Sequence, residues 1–86
     1  MKLLEKQLKA LANGRRLDIL KLLQARKTMD VGSVADTIKL SFKATSKHLA
    51  VLYSNDVVDR EQRGVQMYYK IASDQKPAVS AILKLL

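Results

Sequence analysis

Apolar positions recur along this chain at two different periods, and the change between them divides it. From Lys2 to Ala12 every residue is a good helix former, with Leu4, Leu8 and Leu11 on one stripe and Leu3 at its edge, which predicts an amphipathic helix over 2–12. Asn13 and Gly14 break that stripe, and Asn13 is a fair N-cap for a second helix over 14–24. There Leu17, Ile19, Leu20, Leu22 and Leu23 cover most of the circumference, so this helix is expected at the centre of the fold. Thr28 to Asp30 reads as a connector or minimal strand. Asp30 can cap a third helix through Ile38, in which Val31, Val34, Ala35 and Ile38 make a narrow stripe. After a short link, residues 41–54 form a fourth helix with Ser41 as its cap. At about 100° per residue its Thr45, Leu49 and Leu52 fall on one side, and Lys43, Lys47, Ala50 and Ser54 fall opposite. Asn55 supplies a stop, because it tolerates the left-handed conformation in which many helices end.

Beyond Asp56 the period becomes two. Residues 57–62 and 65–71 read as strands joined at Arg63 and Gly64, with Val65, Met67, Tyr69 and Ile71 on one face and Gln66, Tyr68 and Lys70 on the other. Ser73 or Asp74 can cap a last helix over 75–86, where Pro77 is tolerated in the first turn. Its stripe of Val79, Ile82, Leu83 and Leu86 needs a cover, and the expectation is a dimer seam shared with Leu4, Leu8 and Leu11 of the first helix. The prediction is a single mainly α domain over 1–86, five helices plus a small β-hairpin.

Composition changes this picture in three ways. Sixteen Lys and Arg against eight Asp and Glu leave a formal +8 and make nucleic acid the first partner to consider. With no cysteine, disulfides and thiolate metal sites are impossible. No apolar run approaches the ~20 residues of a membrane span, and Lys2, Glu5, Lys6 and Lys9 interrupt the N-terminus too often for a signal peptide. A cytoplasmic location without membrane contact is the expectation. Enzyme chemistry finds no support, since no nucleophile, base and acid arrangement, glycine-rich phosphate cradle or paired carboxylates on one helical face occurs.

Two short helices joined by a tight link, the second with an exposed polar stripe, form the helix-turn-helix pattern, and the hairpin that follows makes it a winged helix. Three segments sharpen the likeness: LKALANGRRLDILKLL at 8–23, SFKATSKHLAVLYSNDVV at 41–58 and RGVQMYYKIA at 63–72. In these the chain resembles the ArsR-like family of winged-helix repressors. The resemblance implies a homodimeric repressor of double-stranded DNA, with helix 41–54 in the major groove, a wing over 57–71, and helices 2–12 and 75–86 in the dimer seam. It implies Phe42, Lys43, Ser46, Lys47 and His48 as groove candidates, of which Lys43 and Lys47 also stand out by their face of the helix.

Phe42 departs from the small polar residue usual in the family. It can meet a thymine methyl or fold down onto the third helix, and the second is the expectation. His48 suits base contact or a packed, hydrogen-bonded role. Arg63 at the wing tip can enter the minor groove or stay an unengaged loop residue. Arg15 and Arg16 open the second helix against its dipole, which suggests a use such as phosphate contact beside the plainer reading of exposed arginines. Many relatives sense metals through thiolates or His and carboxylate clusters; one His and no Cys leave no such site, so neither metal nor any other cofactor is expected. The rival function is a winged helix used as a protein-interaction module. RNA binding is weaker, because only Tyr68 reads as an exposed stacking ring.

Overall fold

Three short polar side chains set where the central helices begin. In the computed structural model, which describes all 86 residues, Asn13 accepts from the Arg16 N–H, Asp30 from the Ser33 N–H and Ser41 from the Ala44 N–H. Each satisfies a donor that a helix start leaves unpaired. The order is α1 (Lys2–Leu11), α2 (Gly14–Arg26), β1 (Thr28–Asp30), α3 (Val31–Ile38), α4 (Phe42–Ser54), β2 (Val58–Arg63), β3 (Gln66–Ile71) and α5 (Pro77–Leu83).

β3 lies between β1 and β2 in an antiparallel sheet. Met29 opposes Tyr69 on one side, and Arg60 opposes the same residue on the other. Ile19, Leu20 and Leu23 of α2 are fully buried with Val34 of α3, Leu49 and Leu52 of α4, and Val57, Val58 and Val79. α2 touches α1, α3, α4, β1 and β3, as its all-round apolar pattern requires.

Several boundaries differ from the sequence expectation. The hairpin turn is Gly64–Val65, with Arg63 paired to Gln66. Gly64 takes the positive φ of 62°, and Val65, one step on, is lifted off the packed face and is 99% exposed. At the end of α4, Asn55 has φ −108° and donates from Nδ2 to the Val51 carbonyl, while Asp56 takes the left-handed conformation at φ 60°. Neither Ser73 nor Asp74 caps α5. Lys76 precedes Pro77 and is extended (φ −70°, ψ 152°), as the residue before a proline must usually be, so the helix opens only at Pro77. The Ser73 N–H is committed to Asp59 Oδ2 at 3.1 Å.

The proposed seam also divides. Leu11, Val79 and Leu83 are buried in the subunit's own core and are not free for a partner. α5 packs back on α1, and Gln24 Nε2 holds the Leu83 carbonyl at 3.1 Å, which turns that side of the stripe inward. Leu4 and Leu8 of α1 and the terminal Leu86 stay exposed, and Ile82 is partly buried against the core.

Candidate nucleic-acid interface

The outward side of α4 is built by its inward side. Thr45, Leu49 and Leu52 have no accessible surface, and that fixes the rotation of the helix so that Lys43, Lys47, Ala50 and Ser54 are all exposed. The approach to α4 is equally constrained. α3 ends at Lys39 in the left-handed conformation (φ 57°), and the N–H groups of Lys39 and Leu40 both return to the Ala35 carbonyl. Arg15 Nη1 donates to the Ile38 carbonyl at 3.0 Å, closing the same turn from α2. The first turn of α4 therefore projects from the surface with its positive dipole end outward and no acidic residue in it.

The sequence-derived site residues separate into two groups. Lys43 and Lys47 stand free on the outward face. Phe42 is 62% exposed; it is not buried on α3 but stands at the rim of a cleft that it shares with Val31 and Gly32 at the start of that helix. Ser46 is half-buried beside it, in the cleft between α4 and the wing. His48 is half-buried on the other flank, where its Nδ1 accepts from Arg16 Nη1 at 3.3 Å. Burial, then the charges of Arg16 and Arg15, hold the His48 ring below its ordinary pKa. Of its two readings, the packed one matches this geometry.

Arg16 does not face solvent phosphate. Its Nε donates to the Ala10 carbonyl and its Nη2 to that of Lys9, so it satisfies the open end of α1. Arg15 is exposed but already occupied at the end of α3. The conflict with the α2 dipole is thus offset by carbonyl oxygens of neighbouring helices.

On the wing, Arg63 donates from Nε and Nη2 to Glu61 Oε1 at 3.1 and 2.9 Å and lies over the Tyr68 ring at 4.6 Å. An exposed pair of this kind is worth at most ~1 kcal/mol, so a phosphate or groove edge can displace it. Two residues were missed by sequence reasoning. Val65 occupies the tip, and the exposed Arg60 lines the cleft, its guanidinium 3.8 Å from the centre of the Tyr53 ring. Arg60 carried no sequence signal beyond its charge, and Val65 was hidden by a one-residue error in the turn. Tyr53 and Tyr68 each carry an arginine over one ring face.

No three His, Cys, Asp or Glu side chains converge as a metal site would need, and no helix is long and apolar enough to cross a membrane. The chain is 35% identical over 78 residues to the HTH-type transcriptional regulator Rv0324 of Mycobacterium tuberculosis, covering 91% of this chain and only 34% of that protein. It is 35% identical over 79 residues to the transcriptional activator HlyU of Vibrio cholerae, covering 92% of this chain and 69% of HlyU. The structure of reduced HlyU superposes with a TM-score of 0.82 at 32% identity, over 99% of this chain and 85% of that one. A solution structure from Mycobacterium bovis, described as a homodimeric winged helix-turn-helix DNA-binding domain, superposes with a TM-score of 0.82 at 33% identity, over 98% of this chain and 74% of that one. The sequence model described as bacterial regulatory protein, arsR family, matches residues 13–60, from the cap of α2 into the wing. The chain belongs to the ArsR family of winged helix-turn-helix transcriptional regulators.

Proposed function

We propose that this chain binds double-stranded DNA sequence-specifically in the cytoplasm, as a homodimer on an inverted repeat, and represses transcription without a metal switch. The observation that carries the reading is the outward face of α4, fixed by its buried Thr45, Leu49 and Leu52, with Lys43 and Lys47 exposed toward the end that would enter a major groove. Lysine there reaches guanine O6 and N7 or a phosphate.

Dimerisation is supported by Leu4 and Leu8 of α1 and by Leu86 beyond the end of α5, exposed by 39%, 46% and 36%, and by the homodimeric neighbour from M. bovis. Repression is the proposed sign because an occupied promoter excludes polymerase with no further contact. Metal independence is supported by the donor set, a single His and no Cys.

Selection of bound duplexes from a random pool tests the proposal. The expected product is a palindrome with half-sites about one helical turn apart, and no enrichment would return the chain to the protein-interaction reading. Transcription in vitro from a promoter overlapping the recovered site should fall as protein is added. Titration with zinc should show no stoichiometric binding.

A further inference from the structure

Away from the α1 and α5 seam, two large apolar side chains border one cleft and remain exposed: Phe42 by 62% and Val65 by 99%. Full burial of a phenylalanine is favourable by ~1.5–3 kcal/mol, and an apolar floor of Val31, Met67 and Tyr69 lies in that same cleft. The chain's one phenylalanine nevertheless stays out. Its backbone is fixed at the first position of α4 by the Ser41 cap, next to Lys43 and little more than one turn from Lys47. Arg60 lines the cleft itself, and the carboxylate that also lines it, Asp30, is engaged as the cap of α3 by the Ser33 N–H and hydroxyl. An apolar protein partner would have to cover those cations unpaired, whereas a polyanion pairs them and still presents an apolar feature to the ring. Along the major-groove edge of a duplex that feature is the thymine C5 methyl.

We infer that Phe42 is a specificity-determining residue that reads one thymine C5 methyl in each half-site. The inference rests on the DNA-binding function proposed above and adds a base preference to it. The lysines supply charge-driven affinity and hydrogen bonds to guanine, and the ring rejects a position that lacks the methyl.

Uracil differs from thymine only by that methyl, so the test replaces the thymines of the selected operator by uracil one at a time and measures Kd at constant salt. For the unmodified protein, a single replacement at the one critical position of either half-site should weaken binding about fourfold, the fold-change equivalent to losing one buried methyl at ~0.8 kcal/mol. The other replacements should have little effect. F42A should fold normally, bind the operator, and give equal affinities for thymine and uracil at that position; F42L should keep part of the difference. An operator without thymine opposite the start of α4, indifference of the unmodified protein to every replacement, or undiminished discrimination by F42A would each overturn the role of Phe42 while leaving DNA binding intact. Failure to enrich any duplex would overturn both.

Discussion

Arg16 Nη1 donates to His48 Nδ1 at 3.3 Å, joining the first turn of α2 to the second turn of α4. The same guanidinium reaches the carbonyls of Ala10 and Lys9. One side chain thus ends α1 and braces α4. Arginine has no acceptor, so the contact requires a neutral imidazole with Nδ1 unprotonated.

Acid should therefore weaken the fold through His48. Its pKa in the folded chain lies below the ordinary 6.5, chiefly through burial and then through Arg16 and Arg15. The unfolded chain takes up the proton first as pH falls, so the stabilisation is complete above about 6.5 and is lost as pH drops through the depressed folded value. Urea midpoints measured from pH 7.5 to 5 should decline in the unmodified protein, and less steeply in H48Q.

Loss of the brace itself should be larger. R16A leaves the α1 carbonyls and His48 without their donor and should cost about 1–3 kcal/mol in chemical denaturation. R16K should recover only part of this, because an ammonium cannot reproduce the fork that spans three acceptors. R15A, which removes one exposed bond to the Ile38 carbonyl, should cost less.

Thr45 offers a stabilising substitution. Its Oγ1 is fully buried without a hydrogen-bond partner, and leaving such a group unsatisfied costs about 1–3 kcal/mol. T45V keeps the shape and removes the hydroxyl. A gain of ~1 kcal/mol would raise Tm by about 4–8 °C in a domain of this size. DNA affinity should be unchanged, since the residue faces inward.

Joint replacement of Lys43 and Lys47 by alanine should leave Tm within error, because both side chains lie off the core. Operator affinity should fall by roughly one to two orders of magnitude. To the extent that these lysines touch phosphate, the logarithmic salt dependence should lose about one per lysine. Equal binding by a folded double variant would remove them from the interface.

The division of the seam can be tested by contrast. L4E with L8E alters only exposed positions of α1; it should shift sedimentation toward the monomer while circular dichroism stays native. L83A removes a core side chain and should cost about 2–5 kcal/mol of stability whatever the oligomeric state.

Much of this architecture was legible because it is local. The Asn13, Asp30 and Ser41 caps bridge three residues each, and the α4 stripe of Thr45, Leu49 and Leu52 is decided by helical period alone. What failed was decided at a distance or by a single step of register. Helical period marks Leu11, Val79 and Leu83 as apolar, but it is silent on whether their cover comes from the same chain. The partners of Arg15 and Arg16 lie on α1, α3 and α4, so a short window saw only two cations in an unfavourable turn. At the wing tip and after α4, the positive φ could be placed on either of two neighbours, and a choice wrong by one moved Val65 from an inward position to the tip. Phe42 was assigned inward by the usual preference of aromatic rings, and the packed α3–α4 contact left it outside.

The register of β1 along β3 has a mechanical consequence. β1 reaches only from Lys70 to Tyr68, whereas the pairing of β2 with β3 continues to Gln66. The proximal ribbon is thus clamped on both edges and moves with the helices, while the distal part from Gln62 to Met67 is a cantilever two strands wide. Bending is confined to that overhang. In the proposed DNA complex, Arg63 and Val65 would ride on that overhang and follow a groove that is wider or narrower from one operator to the next, with the clamped root holding the angle between the wing and α4.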